Sequence, residues 1–134
     1  MAAGRYSFVI EQGATLDFEI AYTDSNGNPV NLEDYTGRMH IKPTKGGDSS
    51  SAHIILSSSL EADGTGLNFS GSNSANPPAS GTIGIFISAH SSSLLDFNEA
   101  VYDLEIVSGS LYPVVTRVLE GKVRLSKEVT TGDY

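Results

Sequence analysis

Apolar and polar residues alternate with a period of two over most of the chain, and no stretch beyond about ten residues repeats every 3.6 positions. The clearest case is Leu16, Phe18, Ile20 and Tyr22 set between Asp17, Glu19 and Ala21, the mark of a strand with one face in a core and one in water. Residues 5–11 read as an earlier strand, separated from it by Gln12-Gly13. Residues 24–29 are rich in side chains that bond their own backbone or tolerate positive φ, and Asn26-Gly27 is the strongest two-residue hairpin signal. After a connection over 30–35, residues 36–42 resume as a strand with Met39 and Ile41 on one side, closed by Pro43. Residues 45–51 form a loop, and 52–57 and 67–70 are short strands about a turn at 61–66. Residues 71–81, almost without large apolar side chains, read as a long mobile loop. Alternation returns at Ile83, Ile85 and Ile87 in a strand over 81–88, and 89–97 form at most one helical turn carrying Leu94, Leu95 and Phe97. The last two strands, 100–107 and 113–125, make a hairpin across 108–113. Gly121 interrupts the second of them and predicts a β-bulge or a close backbone approach.

These elements predict an all-β protein: an immunoglobulin-like antiparallel β-sandwich of seven to eight short strands with at most one short helical turn. The hairpin chemistry argues against parallel pairing, because parallel strands need long crossovers. The 134 residues suit one domain, 1–134, with extended arms at 1–5 and 126–134. Composition narrows the partners. A net charge of -8 repels phosphate backbones, so no nucleic acid is expected. The chain lacks cysteine, which removes disulfides and thiol chemistry, and has no apolar run long enough to span a membrane. Its first twenty residues pass straight into strand alternation instead of a signal-peptide pattern, as expected of a protein made in a cytoplasm.

Candidate chemistry is sparse. His40, His53 and His90 fall in three different segments without a metal-binding spacing, so no metal site is expected. Asp24, Asn26 and Asn28 match positions 1, 3 and 5 of a calcium loop, but Pro29 stands at position 6 and Tyr35 at position 12, which favours a hairpin turn. Asp17 with Glu19 and Asp103 with Glu105 are carboxylates two apart on strands, which share one face. Such pairs can hydrolyse glycosides. Cross-strand pairing with Arg117, Lys122 and Arg124 explains the second pair more simply, at roughly 0.2–1 kcal/mol each. The serine runs at 49–51, 57–59 and 91–93 lack a nucleophile elbow and read as loop filler. No catalytic residue, cofactor or metal is therefore expected, and the chain is not read as an enzyme.

Two blocks carry a resemblance. The first runs Gln12-Gly-Ala-Thr-Leu-Asp-Phe-Glu-Ile-Ala-Tyr-Thr-Asp24, then Gly27-Asn-Pro-Val-Asn-Leu32 and Tyr35-Thr-Gly-Arg-Met39. The second is Val101-Tyr-Asp-Leu-Glu-Ile-Val-Ser-Gly109 followed by Val115-Thr-Arg-Val-Leu-Glu-Gly-Lys-Val-Arg-Leu-Ser-Lys-Glu-Val129. Together they resemble small tailed-phage virion proteins related to the immunoglobulin-like N-terminal domain of baseplate upper proteins; residues 45–80 lie outside the likeness. The resemblance implies a structural virion protein, a baseplate, tail or fibre-adaptor component that docks on other phage virion proteins as a symmetric homo-oligomer, with no membrane partner. A capsid decoration or cement protein and a carbohydrate-binding host-recognition module are the alternatives. Larger relatives add a coiled coil or receptor-binding domain after the sandwich, so the residues here correspond to the attachment module and host recognition is not expected of them. On this reading the interface residues are Arg5, Tyr6 and Phe8 in the first extended segment and Lys127 and Tyr134 in the last, since an extended arm can add a strand to a neighbour. Tyr112 and Tyr134 are the expected aromatic anchors.

Overall fold

The computed structural model describes residues 4–46, 51–70, 80–109 and 113–129. In chain order they form β1 (Gly4–Arg5), β2 (Phe8–Glu11), β3 (Leu16–Ala21), β4 (Tyr35–Lys42), β5 (Ile54–Ser57), β6 (Gly66–Asn68), β7 (Thr82–Ile87), α1 (Ala89–Ser93), β8 (Glu99–Ser108) and β9 (Val115–Ser126). The larger sheet has six strands in the order β1-β9-β8-β4-β5, with β2 also on β9; the smaller has the order β3-β7-β6. The two layers bury one shared core. Ile10, Met39, Ile41 and Leu104 of the larger sheet and Ile83, Ile85 and Ile87 of the smaller are fully buried within it. This is an all-β sandwich, and period-two alternation is its cause: each strand turns every second side chain inward. The stretch proposed as a mobile loop, 71–81, falls outside the described residues except for its last two.

The turns follow local chemistry. Gly27 takes φ +82°, Asp24 exchanges backbone hydrogen bonds with Gly27 and Asn28, and Thr23 bridges Pro29. Asp24 Oδ1, weighed above as a calcium ligand, accepts the N–H groups of Asn26 (2.9 Å) and Asn28 (3.0 Å) and so closes the hairpin. Helix α1 is five residues long, capped by Ser88, whose hydroxyl accepts from the Ser91 N–H at 3.0 Å. Behind it Leu95 and Phe97 are buried as expected, while Leu94 is 72% exposed.

Three expectations are corrected. The larger sheet is mixed, because β1 and β2 both run parallel to β9, Gly4 facing Leu119 and Phe8 facing Val123. Hairpin signals restrict only neighbours in sequence; between the first and last strands the whole remaining fold serves as the crossover that parallel pairing needs. The described residues hold nine strands instead of seven or eight, since the first extended segment breaks at Tyr6–Ser7 into β1 and β2. The Arg5 to Gln12 segment is also no free arm: it is bonded to the chain's own β9, with Gln12 donating from its backbone to Ser126 at 2.9 Å. The Gln12 side chain completes the join, donating to the Leu95 carbonyl (2.8 Å) and accepting from the Glu128 N–H (3.1 Å).

Gly121 and the bulge prove to be separate devices. The register of β8 and β9 slips between Leu104 and Glu105, which face Leu119 and Arg117, so Val118 is the extra residue. Gly121 instead permits a close approach: a Cβ built there would collide with the Tyr6 carbonyl oxygen. That same carbonyl accepts the hydroxyl of buried Tyr102. Around it Phe8 packs against Tyr102, Phe18 and Tyr6 with ring centroids 5.0, 5.2 and 6.2 Å apart. Burial pushes the Tyr102 phenol well above its ordinary pKa, so it stays a donor at any physiological pH.

Gly121→Ala is therefore expected to push the first strands off β9 and to cost about 1–3 kcal/mol in urea unfolding. Tyr102→Phe removes the donor beneath Tyr6 and is expected to cost about 1 kcal/mol. A Gly121→Ala variant as stable as the wild type would show that the crossing does not matter.

Candidate functional site

The most structured surface of the molecule is the outer face of the larger sheet. Its composition follows from register. Arg38 on β4 stands opposite Glu105 on β8, which stands opposite Arg117 on β9; in the next row His40 faces Asp103, which faces Glu120. The bulge makes this possible. With Val118 and Leu119 both buried, Arg117 and Glu120 emerge on the same side although three residues apart, and strict alternation would have sent them to opposite sides.

The rows are joined by charge. Arg38 Nε lies 2.9 Å from Glu105 Oε1, Arg117 reaches Asp103 at 3.4 Å and Glu120 at 3.3 Å, and Arg5 lies 3.9 Å from Glu120 across the β1–β9 edge. Exposed pairs of this kind contribute at most about 1 kcal/mol each. Their larger effect is to fix side chains in a lattice of alternating sign. The lattice floors a trough of about 430 Å³, closed at one end by Thr44, Lys45 and Gly46. Beside it Ile55, 46% exposed, lies next to His40 across the β4–β5 pairing.

A second polar cluster ties the turn before β6 to the start of α1. Asp63 accepts the hydroxyls of Ser88 and Ser91 (2.8 Å to the latter) and the Thr65 N–H (3.0 Å), while the Ser88 N–H donates to Thr65 Oγ1 at 3.1 Å. The Ser88 hydroxyl first, then Thr65 and Ser91, hold the Asp63 carboxyl well below the usual carboxylate range. Every group here donates to the carboxylate, so the arrangement is a clip and not an activated nucleophile. Ser92, fully buried, donates to the Ala14 carbonyl at 2.8 Å and accepts the Gly13 N–H at 3.0 Å. The serines at 91–93 are thus framework joints, which corrects their reading as filler.

The residues proposed as an interface are placed as follows. Arg5 is exposed on β1 and faces Glu120; Tyr6 is 47% exposed at the break between β1 and β2. Phe8 turns inward into the aromatic cluster and packs against the core. Lys127, beyond the other end of β9, pairs with Asp96 at 3.1 Å. Tyr112 and Tyr134 lie outside the described residues. The structure thus brings Arg5, Tyr6 and Phe8 together on the rim of β9 and leaves Lys127 apart. Among the described residues no three or more His, Cys, Asp or Glu side chains are grouped to hold a metal ion, and no helix is long and apolar enough to cross a membrane. The sequence reading missed the trough, whose only advance signal was the adjacent apolar pair Val118-Leu119 breaking the alternation of β9.

No protein-family model matches the chain, and no curated protein matches its sequence.

The Asp63 clip has a pH signature. A carboxylate held low in the folded state stabilises the fold fully above its unfolded pKa, near pH 4, and loses that contribution as pH falls toward the depressed value. Asp63→Asn is expected to melt at a lower temperature than the wild type at pH 7, with the two melting temperatures converging as the pH is lowered through the acid range. A difference independent of pH would remove the clip's electrostatic basis.

Proposed function

We propose that this chain is a structural protein of a tailed-phage virion, a component of the baseplate, tail or fibre adaptor that acts by docking on other proteins of the particle. The observation that carries the reading is how the two blocks of sequence resemblance assemble: their strands β4, β8 and β9 are immediate neighbours and together build the ion-paired outer face. The part of the chain that resembles virion proteins is thus also its most organised surface. An alternating lattice on a stiff sheet suits protein docking, because charge complementarity fixes orientation and register between partners. The trough is wide and open along a sheet, a shape that accepts a ridge or strand of another protein. The immunoglobulin-like domain of the resemblance agrees with a two-layer sandwich whose rims and outer faces are the parts available to partners.

Antibodies against this chain are expected to label purified particles of the phage that encodes it at the tail in negative-stain microscopy. Labelling spread over the head would replace this reading with capsid decoration, and unlabelled particles that also lack the chain by mass spectrometry would overturn it.

A further inference from the structure

The cations of this acidic protein are gathered on one side. Of its eight Lys and Arg residues, seven lie on the outer face of the larger sheet or its rim: Arg5, Arg38, Lys42, Lys45, Arg117, Lys122 and Arg124. The acids on that face and rim are Glu11, Glu99, Asp103, Glu105 and Glu120, so seven positive charges meet five negative ones and leave a surplus of two. The chain as a whole carries -8. Arg38 and Arg117 are occupied within the lattice, whereas Lys45, Lys122 and Arg124 make no ion pair among the described residues and are exposed.

The opposite layer has the reverse character. On the smaller sheet Asp17 and Glu19 point outward from β3, opposite Phe86 and Gly84 of β7. The turn bearing Glu61 and Asp63 lies over Phe86, where Gly64 approaches the ring. No Lys or Arg belongs to β3, β6, β7 or that turn. Gly84 and Gly66 are buried, with Leu60 and the Ser57 carbonyl standing over Gly66, and Asp17 and Glu19 are exposed beside them. One molecule thus presents a positive sheet and a negative sheet back to back, with layers roughly 10 Å apart.

We propose that the basic outer face of the larger sheet docks the acidic outer face of the smaller sheet on a second copy of this chain, head to tail. The inference rests on the docking role given to the same face above. A two-fold pairing of identical faces would set like charge against like. Head-to-tail contact sets Lys122 and Arg124 of one copy toward Asp17 and Glu19 of the next, and repetition closes a ring or extends a stack. Long-range repulsion between copies of charge -8 is screened beyond about 8 Å at physiological salt, which leaves the contact pairs to decide the orientation.

The test uses sedimentation velocity of the full chain near physiological salt. The wild type is expected to self-associate with concentration. Lys122→Glu with Arg124→Glu, and separately Asp17→Lys with Glu19→Lys, are each expected to weaken association about tenfold or more, and mixing the two variants in equal amounts should restore it. All four positions are exposed, and matching circular dichroism and melting curves confirm folding of each variant. Three results would overturn the proposal: a wild type monomeric at every concentration, an Asp17→Lys/Glu19→Lys variant that associates normally, or two variants that fail to rescue each other. A monomeric wild type whose retention on an anionic polysaccharide resin depends on Lys122 and Arg124 would assign the basic face to a polyanion instead. If self-association behaves as described while the chain is absent from virions, the contact stands and the virion reading falls.

Discussion

One extra residue in β9 decides which side chains of the last strand meet water. Val118 and Leu119 are both buried, and the strand resumes its alternation beyond them with opposite phase. Arg117, Glu120, Lys122 and Arg124 consequently share the outer face. Remove the bulge and Arg117 would stand on the other side from the three that follow, with the core losing an inward apolar position. The pairing of Arg117 with Asp103 and Glu120, the trough they floor and the polarity of the whole sheet follow from this single insertion.

A second constraint acts at the rim. β1 and β2 can lie on β9 only because Gly121 leaves room for the Tyr6 carbonyl, and Tyr102 satisfies that carbonyl from within the core. The contact places an exposed aromatic, Tyr6, and a cation, Arg5, at the edge of the charged face, and carries Phe8 into the interior. Packing, backbone approach and surface composition are here settled by the same few atoms, so the rim cannot change without disturbing the core beneath it.

Much of this was legible in the sequence, and the reasons for the remainder are specific. Alternation at Ile83, Ile85 and Ile87, and at Tyr102, Leu104 and Ile106, marked core strands because period two is a local property. Asn26-Gly27 marked its hairpin for the same reason, and Gly121 announced a close approach although not to what. Parallel pairing of the first and last strands left no trace, since it joins segments with no local signal in common. The Asp63 clip was equally hidden: its serine partners lie 25 and 28 positions away, and an isolated Ser or Asp reads as loop. Cross-strand pairing of Arg117 with the acids of β8 was expected from the hairpin, but its particular partners depend on a register that only the bulge fixes. Charge segregation could be counted only once the faces were known.

Parallel closure of the sheet also shapes how the chain must fold. Phe8 pairs with Val123, so β2 has to wait on the ribosome until β9 is synthesised, and joining them closes a loop that takes in every strand between them. In that interval β8 has no β9 beside it, and its bare edge is open to strands of other molecules. The interval before β9 emerges is thus when the chain is most prone to mispairing, and its yield at high expression should be governed by how quickly that strand arrives.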